Sequence, residues 1–160
     1  MASLQPATLL PPNAVEGQAI KLSALEHLSI IHVKGHRLSD ASFVPDAEPA
    51  REENGLIWLG PNERLLINHP TPDLSADVYV TDVSHQFVAL NIEGEHLTRL
   101  IETGTAALPP SPGGATRLRF GDVTAITRRI GAQQAQLIVD ASIAPWLWHW
   151  LIDRVEQLGL

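Results

Sequence analysis

A chain of 160 residues, 44% hydrophobic and 18% charged, has the composition of a globular protein and is long enough to bury a core without disulfide or metal cross-links. It contains no cysteine, which excludes disulfides, thiolate metal sites and cysteine nucleophiles. Its formal net charge of −7 argues against a nucleic-acid partner, because phosphate backbones are bound by basic surfaces.

The sequence carries no common signal for export or membrane insertion. Residues 1–12 include no basic residue and no apolar run of the length found in signal peptides. Nowhere does the chain have the roughly eighteen successive apolar residues of a membrane-spanning helix. Together with the absence of cysteine, these features predict a cytoplasmic protein that does not enter a membrane.

The first half of the chain is predicted to consist of an arm followed by strands. Residues 1–18 contain prolines and a glycine without any hydrophobic period, which indicates an extended N-terminal arm. Strands are predicted at four apolar runs, residues 20–22, 28–34, 56–59 and 64–68. The last two flank the turn at Gly60 and form a hairpin. Pro72 and Asp73 suit the first turn of a short helix.

The second half is built around residues 82–101, which are predicted as strand, glycine and helix. After a strand at 78–83, residues 87–92 alternate as in a strand with a buried face, and Gly94 ends that strand. Leucines and an isoleucine at helical spacing follow. Gly104 is expected to cap this helix in a left-handed conformation.

A second hairpin and a C-terminal helix complete the predicted elements. The hairpin joins residues 124–130 to residues 136–140. Ser142 is predicted to cap a helix that runs toward Leu158, and Pro145 falls in the first turn, where proline is tolerated.

The two halves have the same order of elements, which predicts a duplicated fold. Each reads strand, helix, hairpin and helix, and the hairpin around Gly60 matches that around Gly131. The first helix of the first half is predicted as a truncated helix or turn at residues 39–44. Such a unit is ferredoxin-like, with helices on one face of an antiparallel sheet. We therefore predict an α+β fold in which residues 19–160 form a single domain of two similar halves, about 19–77 and 78–160.

The last helix is apolar over more than one face. Its predicted core face is Ile143, Leu147, Trp150, Leu151 and Leu158. Trp148 and Ile152 widen the apolar arc, and Trp146 falls among polar residues. Two interpretations remain open here. The large rings could cover the edge of the sheet, or Trp146, Trp148 and Ile152 could form an interface with a partner subunit, since tryptophan is enriched at interface hot spots.

No group of residues has the pattern of a catalytic or metal site. Ser84 and His85 are neighbours on an extended chain and point to opposite faces, so a turn-stabilising role is favoured over a nucleophile and base. His32 and His36 lack the spacing of metal ligands on a helix. Residues 111–116 are glycine-rich but lack the lysine of a phosphate-binding loop. We therefore predict no catalytic, cofactor-binding or metal-binding residue.

The arginines cluster locally but are not predicted to bind an anion. Arg117, Arg119, Arg128 and Arg129 lie close together in the sequence. On paired strands such residues are more commonly solvated at the edge of the sheet, and this is the interpretation that we favour.

Three segments together resemble a known family. The segments DVSHQFVALNIEGEHLTRLI, WLGPNERLLI and LIVDASIAPWLWHWL lie in an order that resembles the gamma subunit of heterotetrameric sarcosine oxidase, over about residues 22–158. That family is similar to the folate-binding domain of the glycine-cleavage aminomethyltransferases, which consists of two ferredoxin-like halves. The resemblance therefore implies the same fold as the repeat predicts.

The resemblance also implies a function within a larger complex. The alpha and beta subunits would carry FAD, FMN and NAD, demethylate sarcosine oxidatively to glycine and transfer the one-carbon unit to tetrahydrofolate. A small delta subunit would complete the heterotetramer. The gamma subunit would be a non-catalytic assembly subunit that binds no cofactor itself. A stand-alone folate-binding one-carbon protein, or an aminomethyltransferase-like enzyme, is the alternative.

Overall fold

The computed structural model describes residues 15–16, 19–25, 28–35, 38, 52–53, 55–69, 71, 77–107 and 111–160. The strands in this part of the chain are β1 (Val15–Glu16), β2 (Ile20–Leu25), β3 (Ile30–Gly35), β4 (Glu52–Glu53), β5 (Leu56–Gly60), β6 (Glu63–Ile67), β7 (Val78–Asp82), β8 (Phe87–Gly94), β9 (Ala115–Phe120), β10 (Val123–Gly131) and β11 (Gln134–Asp140). The helices are α1 (Leu97–Gly104), α2 (Ala144–Leu158) and a 3-10 turn at Ser84–Gln86.

The strands form two antiparallel sheets. Within the described residues, one has six strands in the order β1-β2-β8-β11-β10-β9, and the other has five in the order β4-β5-β6-β3-β7. The two predicted hairpins are present as β5–β6 and β10–β11. The predicted α+β fold with antiparallel sheets is confirmed. The predicted helical turns at residues 39–44 and at Pro72 and Asp73 lie outside the described residues.

The two sheets repeat the same arrangement of four strands. Strands β5, β6, β3 and β7 are adjacent in one sheet, and β10, β11, β8 and β2 are adjacent in the same relative order in the other. In this comparison β7 and β2 occupy equivalent positions. Strand β2 belongs to the predicted first half, residues 19–77, but lies in the six-stranded sheet with β8, β10 and β11 of the second half. Strand β7 belongs to the second half but lies in the five-stranded sheet with β3, β5 and β6 of the first half. Strand pairing therefore crosses the predicted division between the halves.

The predicted N-terminal arm is described only in part. Residues 15–16 form β1, which pairs with β2 and so extends the six-stranded sheet. Residues 1–14 and 17–18 of the predicted arm lie outside the described residues.

Alternation along the strands separates three layers of apolar side chains. Leu90 and Ile92 of β8 point to the face covered by α1 and α2, and Ala89 points between the sheets. The core between the sheets is made of Ile30, Ile57, Leu65, Ile67, Val83, Ala89, Ala115, Ile126 and Ile138. A third cluster lies on the outer face of the five-stranded sheet, around Val33 and Leu66. The two sheets are thus held face to face, with both described helices on one outer surface.

Two of the predicted helix caps are wrong. Gly104 is the last residue of α1 and is followed by an extended Thr105, without a left-handed residue. Its missing side chain instead makes room for the ring of Phe120, which a Cβ at this position would strike. Ser142 does not cap α2, because its hydroxyl donates to Asp140 Oδ1 at 2.5 Å and Ile143 is the N-cap residue. Helix α2 does begin with proline in its first turn, as predicted.

The helices in the described part of the chain are too short or too polar to cross a membrane.

Candidate functional site

Ser84 holds a turn that joins the two sheets. Its Oγ accepts a hydrogen bond from the backbone N–H of Ile30 at 2.9 Å and donates one to Asp82 Oδ1 at 2.5 Å. The backbone N–H of Ser84 donates to the same carboxylate oxygen at 2.9 Å, and these bonds lower the pKa of Asp82. His85 is exposed. The predicted turn-stabilising role of Ser84 is therefore confirmed, but residues 84–86 form a 3-10 turn and not the predicted extended chain.

The same turn occurs once more where β11 leads into α2. The backbone N–H and the hydroxyl of Ser142 both bond Asp140 Oδ1, at 2.8 and 2.5 Å. These bonds lower the pKa of Asp140. The Ala141 N–H reaches the Gln86 carbonyl oxygen at 2.8 Å and so ties the two turns together. The paired Asp-x-Ser segments are thus architectural.

A cleft of about 420 Å³ opens between the two sheets beside these turns. Apolar side chains from both sheets, including Leu65, Phe87 and Ile126, line its floor. His32, Glu63, Arg117 and Asp140 line the cleft as well. Polar groups from both sheets converge on this concave surface, which is the usual setting of a small-molecule site.

The polar groups at the cleft form a three-residue cluster that bridges the sheets. His32 Nε2 lies 2.9 Å from Glu63 Oε1, and both residues belong to the five-stranded sheet. Arg117, on β9 of the other sheet, donates to both carboxylate oxygens of Glu63, at 3.0 and 3.4 Å. Burial would raise the pKa of Glu63, but hydrogen bonds and charge from Arg117 and then His32 outweigh it and lower that pKa.

This cluster is suited to holding the sheets together. A carboxylate whose pKa is lowered is ionised at neutral pH, so Glu63 has no proton to donate there. Arg117 supplies a two-pronged contact, the geometry in which guanidinium and carboxylate bind most strongly. This cluster is not predictable from the sequence, because Glu63 and Arg117 are 54 residues apart and a single sequence does not reveal such a pairing.

Two of the arginines expected at a solvated edge are buried instead. Arg128 is 8% exposed and donates to Gln136 Oε1 at 2.7 Å. Arg129 is 7% exposed, and its guanidinium bonds the carbonyl oxygens of Gly131 and Ala132. Burial lowers the pKa of Arg129. These contacts with the chain's own groups explain why the two guanidinium groups can lie inside the protein.

The predicted interface residues on α2 have different environments. Trp146 is 47% exposed, and Ile152 is partly buried against the core. Trp148 is 1% exposed and belongs to the core under the sheet, so its prediction as an interface residue is wrong. The physical reason is the helical period, which places Trp148 midway along the stripe Ala144, Leu147, Trp148, Leu151 and Val155 that faces the sheet.

Trp150, predicted to lie in the core, is at the margin of α2. Its ring meets Phe120 edge-on, with centroids 5.5 Å apart, and the guanidinium of Arg154 lies 5.1 Å from the ring centroid. These two contacts fix a half-buried ring beside the exposed Trp146. Aromatic surface therefore continues from the core of the protein to its outside along this helix.

Among the described residues there is no group of three or more His, Cys, Asp or Glu side chains close enough to hold a metal ion. The absence of catalytic, cofactor-binding and metal-binding residues stays a prediction.

The fold is shared with a chain of a known oxidoreductase complex. No family model and no curated protein matches the sequence. Among solved structures, the chain superposes on one chain of the heterotetrameric sarcosine oxidase from Corynebacterium sp. U-96, solved in complex with pyrrole 2-carboxylate, with a TM-score of 0.73. The two are 19% identical, and the match covers 91% of this chain and 88% of that chain. At this identity the likeness establishes a common fold.

Proposed function

We propose that this chain is the gamma subunit of a heterotetrameric sarcosine oxidase, with a structural, non-catalytic role in assembly. The observation that supports the proposal most strongly is the shared fold, which extends over nearly the whole length of a chain from such a complex. The three sequence segments that resemble the gamma subunit point the same way.

In this proposal the chemistry belongs to the partner chains. Larger alpha and beta subunits bind FAD, FMN, NAD and tetrahydrofolate, a small delta subunit completes the complex, and the whole assembly works in the cytoplasm. It oxidises the N-methyl group of sarcosine and passes the one-carbon unit to tetrahydrofolate. This chain binds no cofactor and provides a contact surface for the partner subunits.

The contact surface that we assign to a partner subunit is the outer side of α2. Trp146 exposes 47% of its surface, and the partly buried Ile152 lies six residues, or about 1.7 helical turns, further along. Tryptophan buried in an interface commonly contributes a large share of the binding free energy.

The experiment is co-purification of the tagged full-length chain with the two larger flavin-containing chains of the proposed complex. Trp146→Ala should reduce the recovery of those chains and leave the melting temperature almost unchanged, because the ring contributes little to the core. Trp146→Phe, the matched control, keeps an aromatic surface and should retain most of the recovery. Equal recovery with all three versions would exclude Trp146 from the interface.

The alternative, a folate-binding protein that acts alone, is separated by calorimetry. Titration of the isolated chain with tetrahydrofolate should give no heat of binding if the chain is an assembly subunit. Saturable binding at micromolar ligand would favour the alternative.

A further inference from the structure

Strand β7 forms an exposed edge of the five-stranded sheet. It pairs with β3 on one side only, and no strand adds to its other side among the residues that the structure describes. Tyr79 is 76% exposed, and Thr81 and Asp82 are exposed as well. Exposed edges are commonly protected by lysine, proline or a bulge, but β7 reads Val-Tyr-Val-Thr-Asp and pairs in regular register.

The equivalent edge of the other sheet carries an additional strand. Strand β2 occupies the position in the six-stranded sheet that β7 occupies in the five-stranded sheet. There, β1 adds to the free side of β2, with Val15 opposite Leu22 and Glu16 opposite Lys21. The fold therefore accepts an extra extended segment at this position, and in the five-stranded sheet that position is open within the described part of the chain.

The backbone of β7 has donors and acceptors directed at this open side. The N–H of Val83 donates to the carbonyl oxygen of Ile30 at 2.9 Å, so this pair is a hydrogen-bonding pair of the ladder. In antiparallel ladders such pairs alternate with pairs whose N–H and C=O groups point outward. The register then directs the backbone groups of Tyr79 and Thr81 toward β3 and those of Val80 toward the open edge.

The ends of this edge are acidic. Asp77 immediately precedes the strand and Asp82 is its last residue, and both are exposed. The residues between them are β-branched or aromatic, the types that pair well across strands. A complementary segment would have apolar or β-branched residues in its middle and basic residues at both ends.

We propose that β7 is a docking edge for an extended segment of a partner subunit, which adds antiparallel to β7 and carries basic residues opposite Asp77 and Asp82. The inference rests on the proposed function, since it names how a larger chain of the complex is held. It concerns a surface separate from Trp146, because the edge belongs to the five-stranded sheet and α2 packs on the six-stranded sheet.

The test measures the affinity of the purified larger chains for the full-length chain and its Val80 variants. Val80→Pro removes the outward N–H without removing a β3–β7 bond, since proline is accepted at an edge whose N–H faces outward. We expect it to weaken binding about tenfold, the loss typical of one well-placed backbone hydrogen bond. Val80→Thr keeps the N–H and the branched side chain, and should bind as the unmodified chain does.

A second variant covers the case in which Val80→Pro unfolds the chain, as a thermal melt would reveal. Asp77→Lys changes an exposed charge and should weaken binding at low salt, with the difference disappearing at high salt. Unchanged binding of folded Val80→Pro, or of Asp77→Lys, would overturn the docking edge and leave the proposed function intact. Dimerisation of the chain alone that Val80→Pro abolishes would also overturn it, since the occupant would be a second copy. If the unmodified chain binds neither larger chain, the proposed function fails and the inference fails with it.

Discussion

At the scale of single residues, long-range partners decide the role of the polar groups. Ser84 and Glu63 both lie at places where a functional group would be expected, one beside a histidine and the other in a cleft. Ser84 is hydrogen-bonded to Ile30 and Asp82. Glu63 is hydrogen-bonded to Arg117 and His32. The bonds of Ser84 fix a turn, and those of Glu63 join one sheet to the other.

Glu63 gives the fold a dependence on pH. Because its pKa is lowered in the folded state, it stabilises the fold above the ordinary pKa of glutamate, about 4.3, and this stabilisation is lost as the pH falls through the lower folded-state pKa. We expect Glu63→Gln to melt at a lower temperature than the unmodified chain at pH 7, with the gap closing in acid. Thermal melts across this range measure it. A gap that is constant with pH would contradict the role given to the Glu63 carboxylate.

Substitutions of Trp148 and Trp146 should differ in their effect on the free energy of unfolding, because one ring lies in the core and the other on the surface. Trp148→Ala removes a fully buried ring and should lower the free energy of unfolding by about 3–5 kcal/mol. Trp146→Ala should change it by about 0.5 kcal/mol or less, as is usual for surface positions. Trp148→Phe is a useful control, because in the described structure Trp148 Nε1 has no hydrogen-bond partner and phenylalanine removes that buried N–H. Denaturant titration measures the free energy of unfolding of all three variants. Equal losses of this free energy for Trp148→Ala and Trp146→Ala would contradict the assignment of Trp148 to the core and Trp146 to the surface.

At the scale of elements, the sequence predicts strands and helices well where a hydrophobic period is strong. The strand–glycine–helix pattern of residues 82–101 is found as β8 and α1, and Gly94 takes φ 145°, with the carbonyl of Ala19 where a Cβ would lie. Strand β9 was not predicted, although Leu118 and Phe120 alternate there with arginines that face the other way. Caps were predicted wrongly, because a serine or glycine next to a helix can serve a tertiary contact instead.

The exchange of β2 and β7 between the sheets can be tested by dividing the chain. Fragment 78–160 lacks β2, so β8 would lose its neighbour and the buried Ile20 and Leu22 would be missing from the helix-covered core. We expect neither 1–77 nor 78–160 to unfold cooperatively alone, and an equimolar mixture to regain the sheet signal in circular dichroism. Fragment 28–83 keeps β3, β5, β6 and β7 and should retain more strand signal than 1–77. Independent folding of 78–160 would contradict the exchange.

At the scale of the whole molecule, the duplicated α+β fold can be predicted from the sequence, but the way in which the two halves exchange strands and pack together cannot. The matching order of strands and hairpins in the two halves is enough to predict two similar antiparallel sheets. Which strand completes which sheet depends on pairing between distant segments, and a local pattern carries no such information. The same holds for the contact between Glu63 and Arg117 across the two sheets, and for the burial of Trp148, which depends on the orientation of α2 on its sheet.

The molar mass and flavin content of the native protein test the central claim most directly. The full-length chain, purified from the cells that produce it, is measured by size-exclusion chromatography with light scattering and visible absorbance. We expect it to elute in one complex with two larger chains and to carry the absorbance of bound flavin that those chains contribute. A homogeneous species of this chain alone, without flavin absorbance, would contradict its assignment as an assembly subunit.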